Sequence, residues 1–226
     1  MKSERQHREE IVHVGRMLYE RGYIGATEGN LSVRVDESAI LCTPCGVCKG
    51  TLGADDLVLL EPANTQSSAW RNVSSEIGMH LLIYRMRSDV GGVVHAHPVT
   101  ATGFAAAGMA LDKPLIAELV VSLGSIPLAR YGTPGTHELT DALEPLVPQH
   151  DAILMANHGA VTYGRDLLRA FMNMEQVEHV AKIALVAHLL GHQQLLSADA
   201  VSKLLSIRQR YQQESQAPEP AHSERR

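Results

Sequence analysis

A chain of 226 residues with 45% apolar side chains can bury a sizeable core, as one α/β domain or two small ones. Its net charge of −5, from 20 basic and 25 acidic residues, offers no basic field to nucleic acid. No apolar run reaches the ~20 residues needed to span a bilayer, and with only 4% aromatic residues the core has to be aliphatic.

The first ten residues are charged and lack the apolar centre of a secretory leader, which predicts a cytoplasmic protein. Over residues 4–22, Ile11, Val14, Leu18 and Tyr19 fall at helical spacing, and Gly22 supplies a stop. A turn-rich loop from Gly25 to Asn30 leads into the alternating stretch Leu31–Val35, a strand. Asp36-Glu37-Ser38 reverses the chain into a second strand, Ala39–Cys42. After the loop Thr43–Gly46, Leu57–Leu60 predicts a third strand. Cys42, Cys45 and Cys48 are spaced as in iron–sulfur proteins, but the fourth cysteine such a cluster needs is missing, and their small odd number argues against structural disulfides.

Residues 63–73 are polar and irregular. Ser74 or Ser75 is a good cap for a helix running to about Met86, with Met79, Leu82, Ile83 and Met86 on its apolar face. Gly92–His97 then reads as a strand. Thr100–Gly108 reads as a helix of small residues. Leu115–Val121 and Ser125–Leu128 read as strand pieces broken by Gly124. A loop at 131–136 precedes a helix from Thr136 or His137 to about Leu146. Ala152–Met155 is a buried strand, followed by Asn157-His158-Gly159 and a short extended run at 160–163. Helices cover about 166–190 and 198–211. The polar tail, with Pro218 and Pro220, predicts disorder beyond about residue 212. Helices mixed with short hairpins give a single layered α/β domain over residues 1–212.

On a strand, residues two apart face one side, so His95 and His97 present two imidazoles to a common point while Ala96 turns away. A bare His-x-His also suits two hydrogen-bonded histidines at a strand end. His158 follows a buried strand in a loop bounded by glycine, where site residues gather. The three together would make a three-histidine zinc site with an open position. Glu76 falls in a predicted first helical turn, as a site carboxylate or as a simple cap. Gly29-Asn30, Thr43–Gly46 and the hydroxyls of Ser74 and Ser75 form loops suited to an anion, although turn chemistry alone accounts for each piece.

Taken in order, Gly29-Asn30-Leu-Ser-Val-Arg34, Thr43-Pro-Cys-Gly46, Ser74-Ser75-Glu76, Val94-His95-Ala-His97, Ser125–Thr136 and Asn157-His158-Gly159 resemble the class II aldolase/adducin family over about residues 8 to 212. The resemblance implies a central, mostly antiparallel sheet between helical layers. It implies Zn2+, or another divalent transition metal that three imidazoles accept, on His95, His97 and His158, and Glu76 as the catalytic acid/base. It implies a phosphate site of Asn30, Cys45, Gly46, Ser74 and Ser75. It further implies a homotetramer with sites at subunit interfaces, where Tyr211 would reach a neighbour's site as a proton donor. The activity it implies is cleavage of a ketose 1-phosphate, of fuculose, ribulose or 5-deoxy/5-methylthioribulose type, to dihydroxyacetone phosphate and an aldehyde. Epimerase, dehydratase and decarboxylase chemistry stand beside it, as does a non-catalytic adducin-like interaction module.

Two positions depart from the family pattern. Cys45 stands where Ser or Thr is usual, and a thiol is the weaker donor. Glu118 stands where the fuculose phosphate enzyme has a second tyrosine, and pairing with Arg130 is its expected role. His80, His179 and His188 are expected to be packed or surface groups on helices, and His137 is a weak candidate for substrate contact.

Overall fold

The computed structural model describes residues 2–216. One seven-stranded sheet organises it, in the order β3-β2-β1-β4-β7-β6-β5. The strands are β1 (Asn30–Arg34), β2 (Ile40–Cys42), β3 (Val58–Leu60), β4 (Gly92–Ala96), β5 (Leu128–Ala129), β6 (Ala152–Met155) and β7 (Gly159–Gly164). Every neighbouring pair is antiparallel except β5 with β6. The helices are α1 (Glu4–Glu20), α2 (Ile77–Met86), α3 (Val99–Ala106), α4 (Ala117–Ser122), α5 (His137–Leu143), α6 (Leu167–Leu189) and α7 (Ala198–Gln216). The mostly antiparallel sheet flanked by helices is the α/β architecture that the family resemblance implied.

The period-2 pattern of the strands separates two apolar layers. Leu31, Val33, Leu41, Val94, Ala96, Leu154 and Ala160 point to the side covered by α1, α3 and α6. Ile40, Cys42, Val93, Ile153, Val161 and Tyr163 point to the side covered by α2 and α5. Full burial of each such aliphatic side chain contributes roughly 1.5–3 kcal/mol, and most of these are almost entirely covered. On β1 the α2-facing positions are polar, Asn30 and Ser32, although both are buried. Arg34 ties β1 to the end of α2. Its guanidinium donates to the carbonyls of Tyr84 (2.8 Å) and Arg87 (3.3 Å), where a helix C-terminus favours a cation.

Several elements differ from the sequence reading. Residues 115–121 do not form a strand: Ala117–Ser122 is helix α4, with Leu119 and Val120 buried and its other side against α7. A short apolar run satisfies a buried strand and a buried helical turn equally, and tertiary packing decided this one. The strand expected at 125–128 is displaced to Leu128–Ala129. Helix α2 begins at Ile77, so neither Ser74 nor Ser75 is its cap residue; Glu76 is. Strand β4 ends at Ala96, with His97 just beyond it. Helix α7 continues to Gln216, past the boundary expected at 212, and the rest of the polar tail lies outside the described residues. Among the described residues no helix is long and apolar enough to cross a membrane. All three cysteines are free thiols; Cys42 is buried in β2, and burial pushes its thiol up to about 12, which makes it inert.

Candidate metal centre and active site

The centre of the sheet builds the site. Asn30 on β1 lies directly beside His95 on β4, and His95 lies beside Val161 on β7. His95 therefore projects on the α2 side, fully buried. Its Nδ1–H donates to the Ala160 carbonyl at 2.9 Å, which turns Nε2 toward the other two histidines. His97 is held just past the strand by its backbone N–H, which donates to the Tyr23 carbonyl at 2.9 Å. His158 sits in the turn joining β6 to β7. Asn157 makes that turn with φ +56°, a left-handed conformation that Asn tolerates better than most residues.

Two glycines keep the backbone close to the rings. A Cβ at Gly159 would come within 2.5 Å of the His97 ring. Gly29, at φ +68°, would place one 2.7 Å from the His95 carbonyl.

The rings of His95, His97 and His158 meet edge-on with centroids 4.7–5.2 Å apart. One ligating atom from each lies within 4.8 Å of the others. Glu76 closes the fourth side. Its side chain makes no capping bond to α2. Instead Oε2 lies 3.3 Å from His95 Nε2 and Oε1 lies 3.0 Å from His158 Nε2. His95 Nε2 and His97 Nε2 are 3.1 Å apart. A tetrahedron with ~2.0–2.1 Å zinc–ligand bonds has edges of about 3.3 Å, so these spacings fit one coordination sphere. Glu76 Oε1 is buried without an aligned hydrogen-bond partner, as an atom facing a cation would be. The donor set thus fits a divalent metal.

The electrostatics agree. Burial would raise the Glu76 carboxyl, but positive charge and N–H donation from the His95 and His158 rings outweigh it and hold the group well below the usual carboxylate range, a role that a bound cation would take over from the neutral rings. Burial, helped by the neighbouring His95 and His158 rings, pushes His97 down to about 4. Three rings this close cannot all be charged, and neutral rings keep the lone pairs a metal needs. His95 is closed off, but the side chains of Glu76, His97 and His158 keep 12%, 22% and 10% of their surface exposed, so a small ligand can enter from that side.

The proposed anion residues lie next to this cluster, though not all as expected. Asn30 Nδ2 donates to Glu76 Oε2 (2.9 Å) and to Ser74 Oγ (3.1 Å). Ser74 Oγ also accepts the Glu76 N–H at 3.3 Å. Ser75 is exposed beside Gly135. Cys45 and Gly46 form an exposed turn in which Gly46 has φ +70°. The Cys45 N–H is already given to the Asn72 carbonyl at 2.8 Å, so that amide cannot hold an anion. Arg71, which the sequence did not single out, lines a cleft beside Cys45 and brings a cation there.

Tyr211 is exposed on α7, which packs chiefly on α4. The expected Glu118–Arg130 pair does not form among the described residues. Glu118 opens α4, and its carbonyl accepts from Gln176 and Ser122. His137 opens α5 with its backbone, at the cap made by Thr136.

Three other residues at the site had no role in the sequence reading. Glu28 Oε2 lies 3.3 Å from His97 Nδ1, where a carboxylate orients a ligating ring. His80 and Ser32 are buried next to Asn30. The available signal was periodic: Glu76, His80 and Tyr84 are spaced by four on one helical face, opposite Asn30 and Ser32, spaced by two on a strand.

Residues 9–185 match the family described as Class II Aldolase and Adducin N-terminal domain. The 3-oxo-tetronate 4-phosphate decarboxylase of Pectobacterium atrosepticum is 33% identical over 211 residues, covering 90% of this chain and 94% of that protein. The L-fuculose phosphate aldolase of Methanococcus maripaludis is 33% identical over 179 residues, covering 77% of this chain and 93% of that protein. The crystal structure of YgbL from Klebsiella pneumoniae superposes with a TM-score of 0.80 at 29% identity, over 90% of this chain and all of that one.

Proposed function

This chain belongs to the class II aldolase and adducin family, and from that premise we propose that it is a metal-dependent lyase acting on a short phosphorylated keto-sugar acid. It breaks the carbon–carbon bond one carbon away from the ketone, releases carbon dioxide and leaves dihydroxyacetone phosphate. The observation that carries this reading is the Glu76 carboxylate set against three imidazoles whose ligating atoms gather within 4.8 Å of one another. A binding module without chemistry has no use for that arrangement.

Zn2+ on His95, His97 and His158 would supply Lewis-acid stabilisation of the negative charge that develops on the substrate oxygens. The chain's own residues do the rest. Glu76 enters as a carboxylate and takes the proton of the substrate hydroxyl next to the ketone. The carboxylate carbon leaves as CO2, and its bonding electrons stay on the three-carbon fragment as an enediolate. Glu76 returns its proton to the carbon where the bond broke, and a solvent proton restores the hydroxyl. Asn30 holds Glu76 in place through its 2.9 Å hydrogen bond. Ser74, Ser75, the Gly46 turn and Arg71 provide the polar surface for the phosphate.

Carbon dioxide leaves as a neutral molecule and asks for no proton exchange on its oxygen. An aldehyde leaving group does ask for it, and here the second tyrosine of the fuculose phosphate enzyme is replaced by Glu118. Aldol cleavage of a ketose 1-phosphate remains the second reading. It is favoured by the aldolase relative of equal identity, and in it Tyr211 of a neighbouring subunit handles the aldehyde oxygen.

A panel on zinc-loaded protein separates the two. With 3-oxo-tetronate 4-phosphate, CO2 and dihydroxyacetone phosphate are expected in equal amounts. L-fuculose and 5-deoxyribulose 1-phosphates should show a kcat/KM lower by about 100-fold. Aldehyde release from a ketose 1-phosphate without decarboxylation would give the second reading the field, and turnover of none of the three would reject both.

The same proposal makes the enzyme a homotetramer of the cytoplasm, where charged sugar phosphates are retained. Exposed apolar surface at Val99, close to His97, and at Leu189 and Leu190 where α6 ends suits subunit contacts. Light scattering is expected to give about four times the 24.6 kDa chain mass; a monomer at micromolar concentration would refute the assembly.

A further inference from the structure

A chain of buried hydrogen bonds runs from Glu76 away from solvent, under α2. Asn30 Nδ2 reaches Glu76 Oε2 at 2.9 Å, and Asn30 Oδ1 meets His80 Nε2 at 2.5 Å. On the other side of the ring, His80 Nδ1 meets Ser32 Oγ at 2.6 Å, and Ser32 Oγ meets the Tyr84 hydroxyl at 2.9 Å. His80 is 1% exposed and Ser32 is fully covered.

The chemistry of the two ends sets the direction of every bond. A carboxylate only accepts, so Asn30 must turn its NH2 toward Glu76. Its carbonyl oxygen then faces His80 and can only accept, so His80 must carry its proton on Nε2. Burial pushes His80 down to about 3, with the nearby His95 adding to the fall, so the ring is neutral and Nδ1 is bare. Ser32 must therefore donate to Nδ1, and its oxygen must accept from Tyr84. All four bonds donate toward the carboxylate, and bonds aligned in one sense strengthen one another.

We propose that His80 is a positioning residue for the reaction: as the neutral Nε2–H tautomer it locks the Asn30 amide, and through that amide the Glu76 carboxylate at the metal centre. This rests on the reading that Glu76 moves the substrate proton, but the arrangement itself can be tested without any substrate. In zinc-loaded protein with 15N-labelled histidine, the His80 ring is expected to show a protonated Nε2 and a bare Nδ1. A ring protonated on Nδ1, or on both nitrogens, would overturn the proposal.

Kinetics then separate positioning from mere packing. His80→Leu is expected to lower kcat by about 10–100-fold with KM within about twofold. Zinc content should not change. His80→Gln, whose amide donates to Asn30 and accepts from Ser32, should recover most of the loss. If both variants lose thermal stability while kcat per zinc-loaded molecule stays at the wild-type value, His80 is only packing. Should the leucine variant fail to fold, Ser32→Ala strips the donor from Nδ1 and is expected to lower kcat by about 10-fold; a wild-type kcat there sinks the idea equally. Absence of turnover across the whole substrate panel, with the Nε2–H tautomer in place, marks failure of the functional reading and leaves the positioning geometry standing.

Discussion

His158→Ala is expected to leave a folded protein that no longer holds zinc through dialysis and no longer turns over substrate. His158 lies in the β6–β7 turn with part of its side chain exposed, so its removal opens no large core cavity. What is lost is one of three imidazoles. Two remaining rings cannot define a tetrahedral site, and the effect should exceed the ~10–100-fold that changes outside the coordination sphere typically cost. Metal analysis after dialysis and circular dichroism read the two halves of the expectation. A variant that keeps one zinc per chain would remove His158 from the ligand set. His95→Ala is the less clean experiment, because it also empties a fully buried position and strips a hydrogen bond from the Ala160 carbonyl.

Glu76→Gln carries the second large effect. The replacement is nearly isosteric, and the Gln oxygen still accepts from Asn30, so the hydrogen bond at 2.9 Å has a successor. The amide cannot take or return a proton. Loss of a general acid/base contributes roughly 10²–10⁴-fold, so kcat should fall by that factor with zinc retained. Full turnover by metal-loaded Glu76→Gln protein would show that another group, or solvent, moves the proton.

Local signals in the sequence account for most of the fold. Alternation in Leu31–Val35 and the buried run Ala152–Met155 mark strands, and the helical spacing of Ile11, Val14 and Leu18 marks α1. What they miss follows from packing. Leu115–Val121 is rich in branched residues and reads as strand, yet α4 forms because Leu119 and Val120 reach the core from a helical turn. At the site, the spacing of His95 and His97 follows from strand geometry alone. The meeting with His158 could be written down only through the combined set of motifs, because nothing local to residue 158 says which strand it joins. Glu76 reads as a cap by its position, and only the fold reveals that its side chain turns away from the helix. A lone histidine on a helix, such as His80, reads as a packed group. It is packed, but against Asn30 and Ser32, and a strand's polar face becomes informative only once its covering helix is known.

The register of β4 has a consequence for how the protein matures. Asn30, His95 and His158 come from segments far apart in the chain, and they become neighbours only when β4 is flanked by β1 on one side and by the β6–β7 hairpin on the other. No emerging fragment that stops short of His158 owns a complete ligand set. Contacts of such long range form late, since the loops between them must close first. A divalent ion held by these rings would therefore not seed this fold as it seeds a zinc finger; it would bind the assembled sheet, and its occupancy would gauge how many molecules have reached the native state.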